Sequence, residues 1–143
     1  MYLQQISLFV ENKAGRFAEI TELLASKGID IRALSVADTT DYGIVRLIVN
    51  DPEKAAAALR EAGMAVSLTE VLAIGMEDRP GGLTKALRLL ADSGVSVEYM
   101  YAFIGREKNR AYVIARVADN ARAEQILREA GIPLLDGSVL YKM

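Results

Sequence analysis

Two short stretches have the residue types and spacing to hold a small anion: Asp78-Arg79-Pro80-Gly81-Gly82-Leu83 and Asn12-Lys13-Ala14-Gly15-Arg16-Phe17. Each follows an apolar run of strand character, Leu72-Ala73-Ile74 in one case and Ile6-Ser7-Leu8-Phe9-Val10 in the other. Each opens a run of helical character. In both, a short acidic or amide side chain comes first and glycine stands three residues later. Asp or Asn accepts hydrogen bonds from nearby backbone N–H groups, and glycine permits positive φ. Without a Cβ, glycine also lets another molecule approach the backbone. The free N–H groups of the first helical turn point outward at the positive end of the helix dipole. A carboxylate suits such a place. The plainer alternative is a strand-to-helix turn with nothing bound, in which Asn12 and Asp78 cap the helix that follows.

The elements around these stretches occur twice. Shifted by 66 positions, Gly15 falls on Gly81, Leu23-Leu24-Ala25 on Leu89-Leu90-Ala91, and Gly28-Ile29-Asp30-Ile31 on Gly94-Val95-Ser96-Val97. Further along the shift is 68, and Leu59-Arg60-Glu61-Ala62-Gly63 falls on Leu127-Arg128-Glu129-Ala130-Gly131. The two extra residues fit a polar hairpin loop at Arg106-Glu107-Lys108-Asn109-Arg110, opposite the tighter Asp38-Thr39-Thr40-Asp41, since insertions belong in exposed loops. So long a period fits a duplicated small domain, at 1–70 and 71–143, better than a solenoid.

Each copy reads as six elements. Strand one covers Gln4–Val10 and Val71–Met76. Helix one covers Arg16–Lys27, with the stripe Phe17, Ile20, Leu23 and Leu24, and Gly82–Ser93. Strand two covers Ile31–Ala37 and Val95–Phe103, and strand three Gly43–Val49 and Ala111–Val117. Helix two begins after the capping pair Asp51-Pro52. Its buried face is Ala55, Ala58, Leu59 and Ala62, or Ala123, Ile126, Leu127 and Ala130. Strand four covers Ala65–Leu68 and Ser138–Lys142. The order βαββαβ, twice, predicts an α+β fold of two ferredoxin-like units, antiparallel sheets with helices on one face. Glu70-Val71-Leu72 leaves no linker, so the units are expected to pack as neighbours.

Composition narrows the function. The chain has 143 residues, 52% hydrophobic and 25% charged, with no Cys or His. Thiol nucleophiles, disulfides, His-based triads and the usual zinc sites are thereby excluded. Glu11, Asp38, Asp41, Glu98 and Glu107 are scattered and converge on no acid–base pair. No catalytic residue, metal or cofactor is expected, and the chain reads as a non-enzyme. Residues 1–70 carry seven basic and ten acidic side chains, residues 71–143 ten and nine. Neither half has the positive field that nucleic acid needs. No run approaches the ~20 apolar residues of a membrane span, and the start has no leader pattern. A cytoplasmic protein is the expectation.

Strand two of the second copy carries Val97, Tyr99, Tyr101 and Phe103 in alternation, where the first copy has Ile31, Ala33, Ser35 and Ala37. Core or interface packing is the favoured reading over base stacking, because the surroundings are not basic. The tyrosines are expected to fill space beside Ala33 and Ser35. Met100, Ala102 and Ile104, with Ile44, Ile48 and Ile114 on strand three, predict an exposed apolar sheet face and hence a homodimer.

The loop D/N-x-P-G-x-L, followed later by G-I/V-D/S-I/V, resembles the ACT domain. Asp78-Arg79-Pro80-Gly81-Gly82-Leu83 and Gly94-Val95-Ser96-Val97 match well. The first copy matches less fully, with Ala14 where proline is usual and Phe17 where leucine is usual. The resemblance implies regulation: such domains bind small molecules, most often amino acids, where two units pair. Pairing through the second strands would join the units into one eight-stranded sheet. The ligand would then lie between the strand-one loop of one unit and the start of strand two of the other. Its carboxylate would meet Gly15 and Arg16, or Gly81 and Gly82. By position in the pattern, Asn12, Asp30, Asp78 and Ser96 would accept from its ammonium, and Ala14 and Pro80 would complete the loops. A non-catalytic interaction or assembly module that regulates a partner enzyme without ligand is the alternative.

Overall fold

The computed structural model describes residues 2–38, 41–103 and 108–142. Thr39-Thr40 of the first expected hairpin loop, and Ile104 to Glu107 around the second, lie outside the described residues. The elements run β1 (Leu3–Glu11), α1 (Arg16–Ser26), β2 (Ile31–Asp38), β3 (Tyr42–Val49), α2 (Pro52–Glu61) and β4 (Ala65–Glu77). They continue with α3 (Gly82–Asp92), β5 (Val97–Phe103), β6 (Arg110–Val117), α4 (Asn120–Glu129) and α5 (Gly137–Leu140). The fold is α+β and ferredoxin-like. Two compact units divide the chain between Thr69 and Glu70, with Leu3 counted in the second and Tyr141 in the first.

In the first unit β3 lies between β1 and β2, antiparallel to both. One face of these strands sends Ile6, Leu8, Val10, Val45, Leu47 and Val49 against Ile20 and Leu24 of α1 and Ala55 and Leu59 of α2. The second unit repeats this. β6 lies between β4 and β5, and Leu72, Ile74, Ala115 and Val117 meet Ala86, Leu90, Ala123 and Leu127. Alternation along the strands and helical spacing along the helices thus meet in one core per unit. The helix stripes are narrower than expected. Phe17 is 41% exposed. Ala62 and Ala130 are exposed C-cap residues, because α2 and α4 end one position earlier. Asp51 does cap α2, its Oδ1 accepting from the Lys54 N–H at 3.2 Å.

Strand two departs from simple alternation at the same place in both units. The register jumps between Ile31 and Ala33, and again between Val97 and Tyr99. Each jump is a bulge that opposes two residues to one. Ile31 and Val97 therefore turn toward the helices, while Ala33, Tyr99 and Tyr101 face away. Val97 does not share a face with the tyrosines, contrary to plain period-two reading.

Strand four also differs. The fourth strand of the first copy and the first strand of the second are a single 13-residue strand, β4. Ser138–Lys142 is not a strand. Asp136 Oδ1 accepts from the Ser138 N–H at 2.8 Å and its hydroxyl at 2.5 Å, and the Asp136 carbonyl accepts from the Val139 and Leu140 N–H groups. That local capping starts α5 and overrides the β-propensity of Val139 and Tyr141. What lies beside β4 instead is Pro133–Leu135: Gly75 N–H donates to the Pro133 carbonyl at 2.7 Å and Leu135 N–H to the Ala73 carbonyl at 2.9 Å. Six strands are formed among the described residues, so the eight implied by pairing of complete units are not reached.

The helix-free faces are not the open apolar surface expected. Ile48 and Ile114 are fully buried within the single chain, and Ala33, Tyr112 and Phe103 nearly so. The Phe103 and Tyr112 rings meet edge to face, centroids 5.9 Å apart, a contact of about 0.5–1.5 kcal/mol. A homodimer formed through those faces has lost the observation that suggested it.

Candidate functional site

Both glycine loops sit where a central strand hands over to a helix. β1 ends at Glu11 and α1 begins at Arg16; β4 ends at Glu77 and α3 begins at Gly82. Neither helix is capped by a side chain. The N-cap residues are the glycines themselves, Gly15 at φ 83° and Gly81 at φ 84°, the left-handed region that glycine occupies without strain. The capping role considered for Asn12 and Asp78 is thus absent, and both residues are exposed.

The loops hold their own shape by backbone bonds. Arg16 N–H donates to the Lys13 carbonyl at 3.2 Å, and Gly82 N–H to the Arg79 carbonyl at 3.0 Å. These two N–H groups, expected to face a ligand, are used internally. The second loop is also anchored sideways, Asp78 N–H donating to the Asn109 carbonyl at 3.0 Å. Gly82 has a further reason to be glycine, since a Cβ there would run into the Glu77 carbonyl oxygen.

A cavity of about 350 Å³ opens beside the second loop. Its wall is Gly75 to Glu77 of β4, Arg79 to Gly82 of the loop, Lys85 and Ala86 of α3, Arg110 of β6 and Gly131-Ile132-Pro133. A volume near the lower end of small-molecule sites is enough for a metabolite of a few heavy atoms. Among the described residues, three cationic side chains and one carboxylate line it. Arg79 Nε meets Glu77 Oε2 at 2.6 Å. Lys85 stands one turn into α3. Arg110 is the register partner of Glu77 across β4 and β6.

The first loop has a different charge balance. Lys13 pairs with Glu11 and Arg16 with Glu19, each at 3.1 Å. Glu19 occupies the position of Lys85, and Tyr42, register partner of Glu11, that of Arg110. Such exposed pairs stabilise little, but they leave no surplus of positive charge.

The remaining candidates stand apart. Asp30 and Ser96 follow α1 and α3, at the opposite end of the helix from their own unit's glycine loop. Eleven helical residues span about 16 Å. Neither unit by itself brings its glycine loop to its strand-two entry. Asp30 is exposed and its carboxylate is ion-paired with Arg32, while its N–H donates to Asn50 Oδ1 at 2.9 Å. Ser96 is exposed. Lys85, Arg110 and Ile132-Pro133 were not singled out from the sequence. Arg110 could have been, because a hairpin aligned on the repeat places it opposite Glu77.

A second, smaller hollow of about 190 Å³ lies in the first unit under the edge strand β2, walled by Phe17, Ile20, Thr21, Leu34, Val36, Val45 and Leu47. Leu34 and Val36 are about half exposed there. Among the described residues no group of three or more acidic side chains could hold a metal ion, and no helix is long and apolar enough to cross a membrane.

The whole chain, residues 1–143, matches the family described as an ACT domain pair. No curated protein matches it. Among solved structures, a protein from Bacteroides thetaiotaomicron is 42% identical, with a TM-score of 0.93 over 100% of this chain and 98% of that one. The regulatory subunit of aspartate kinase from Thermus thermophilus is similar in fold, with a TM-score of 0.68 at 19% identity over 92% of each chain. That of Thermus flavus gives 0.64 at 19% identity over 90% of each.

Proposed function

The chain belongs to the family of ACT domain pairs, and on that premise we propose that it is a non-catalytic regulatory protein that binds a small amino acid. The observation that carries the reading is the cavity beside Gly81-Gly82, walled by Lys85 and Arg110. With the Gly82 N–H already used, a ligand carboxylate takes other unused N–H groups at the opening of α3, together with the nearby cations. Asp78 and Glu77 supply acceptors for the ammonium, and Pro80 stiffens the loop. Asn12, Ala14, Gly15 and Arg16 form the matching loop of the first copy. Its balanced charges make it the weaker site. Asp30 and Ser96 contribute where the strand-two entry of one ACT unit meets the loop of another.

Solved proteins with the same fold include regulatory subunits of aspartate kinase, which supports a role in trans on a partner enzyme. Binding regulates by favouring one arrangement of the protein over another. A thermal-shift screen of the proteinogenic amino acids tests the reading. A ligand at ~100 times its dissociation constant adds about 2.7 kcal/mol of stability. Failure of every amino acid to raise the melting temperature would contradict it.

An interaction role has its own observation. Phe17, Leu34 and Val36 expose an apolar patch along the edge strand β2, and an edge strand with such a patch suits strand-on-strand docking with a second copy or a partner enzyme. Where the occupant is a second copy, Val36→Lys should lower the mass in light scattering; an unchanged mass would remove docking between copies.

A further inference from the structure

Depth and polarity run together in the cavity of the second unit. Each charged residue of its described wall, Glu77, Arg79, Lys85 and Arg110, is exposed and stands at the mouth. The wall residues that are buried, Gly75, Ala86 and Ile132, are apolar. Ala86 and Ile132 belong to the hydrophobic core of the unit and Met76 packs against it, so the cavity ends on that core. The repeat accounts for the space. The first unit carries Ile20 where the second carries Ala86, and Ile20 is buried in its own core. Isoleucine exceeds alanine by three carbon atoms. The neighbours return little of that loss. Met76 stands where the first unit has Val10, one heavy atom smaller, and Ile132 where it has Met64, with the same number of heavy atoms. A charged or hydroxylated group pushed to this depth would leave water and find no side-chain partner on the described wall, a net cost.

Resting on the amino-acid reading of this site, we propose that the second unit selects a branched aliphatic amino acid, of the valine, leucine or isoleucine class. The carboxylate lies at the opening of α3, and the ammonium stays at the mouth with Glu77 and Asp78. The side chain, three or four carbons, points inward over Ala86, Ile132 and Met76. It completes the core of the second unit as Ile20 completes that of the first. Each methylene buried there gains about fourfold in affinity. Threonine has the shape of valine but gains less, because its hydroxyl goes inward unpaired. Glycine brings nothing to the apolar end of the cavity.

Isothermal titration of the full chain with glycine, L-valine, L-leucine, L-isoleucine, L-threonine and L-aspartate tests this. The expected result is that the best of the three branched ligands binds about tenfold or more tighter than glycine, threonine or aspartate. This ligand series decides without any variant. Ala86→Ile restores the side chain of the first unit and should weaken the branched ligands about tenfold or more, with circular dichroism checking the fold. Should that variant fail to fold, Ala86→Val, one carbon smaller, takes its place with the same expectation. Glycine, threonine or aspartate binding as tightly as the best branched ligand would overturn the proposal, and so would unchanged affinity in a folded Ala86 variant. Either result, or binding of a different amino acid only, would sink this inference and leave the amino-acid reading intact. Binding of no amino acid, here or in the thermal-shift screen, would remove both.

Discussion

Gly81 and Gly82 are adjacent, yet substitution should damage them in different ways. Gly81 sits at φ 84° with nothing within 4 Å of where a Cβ would stand. Alanine there has room but the wrong backbone conformation, which costs about 1–2 kcal/mol. Asparagine tolerates the left-handed region, so Gly81→Asn should recover about half of that. Gly82 has an ordinary φ but no room, because its Cβ would meet the Glu77 carbonyl oxygen. That oxygen is backbone, and it also accepts from Arg79 N–H at 2.9 Å. It cannot turn aside as a flexible side chain would. Overpacking of this kind costs about 1–3 kcal/mol, less up to about 1 kcal/mol that alanine returns as the better helix former. Asparagine at this position should do no better than alanine. Urea titration separates the cases. With a slope of about 1–3 kcal/mol/M, a loss of 1–2 kcal/mol moves the midpoint by roughly 0.5–1 M. Rescue by asparagine at Gly81 and none at Gly82 is the expected pattern. Equal behaviour of asparagine and alanine at Gly81, or a neutral Gly82→Ala, would refute the reasoning.

Other outcomes follow from the same structure. Leu24→Ala and Leu90→Ala empty matching places in the two cores, both fully buried, and each should lose about 2–5 kcal/mol in chemical denaturation. Asp136→Ala removes the cap of α5 and should lose about 1 kcal/mol by the same assay. Tyr141 Oη accepts from the Gln4 N–H at 2.8 Å, and burial raises the Tyr141 phenol above its ordinary pKa. The stability this gives is complete below the unfolded value near 10 and is lost as pH rises through the folded value. Melting curves from pH 8 to 11 should show that loss, reduced in Tyr141→Phe, which also loses about 1 kcal/mol at neutral pH with its hydrogen bond.

Local patterns made much of the architecture legible. The repeat, the helix stripes and the glycine turns are carried by nearest neighbours along the chain, and the two copies support one another. Three features depended on competition that a pattern does not display. At the C-terminus, Asp136 capping Ser138 prevailed over a β-prone run. On strand two, one extra residue in each bulge turned Val97 away from Tyr99, a shift invisible to alternation alone. Along β4, an absent linker meant one strand serving as the end of one copy and the start of the next. At the site, the sequence indicated the loop because Gly81 and Gly82 lie within it. The charge of the cavity came from Lys85 and Arg110, which are 25 residues apart and meet only through the packing of α3 and β6.

The central claim is that the opening of α3 holds a small amino acid. Amide chemical shifts during titration with the best amino acid from the screen test it most directly. The account predicts saturable shifts largest at Gly81, Gly82, Leu83 and Thr84, with Arg110 moving at the same dissociation constant. Saturable binding that leaves those amides in place and shifts residues elsewhere would contradict it.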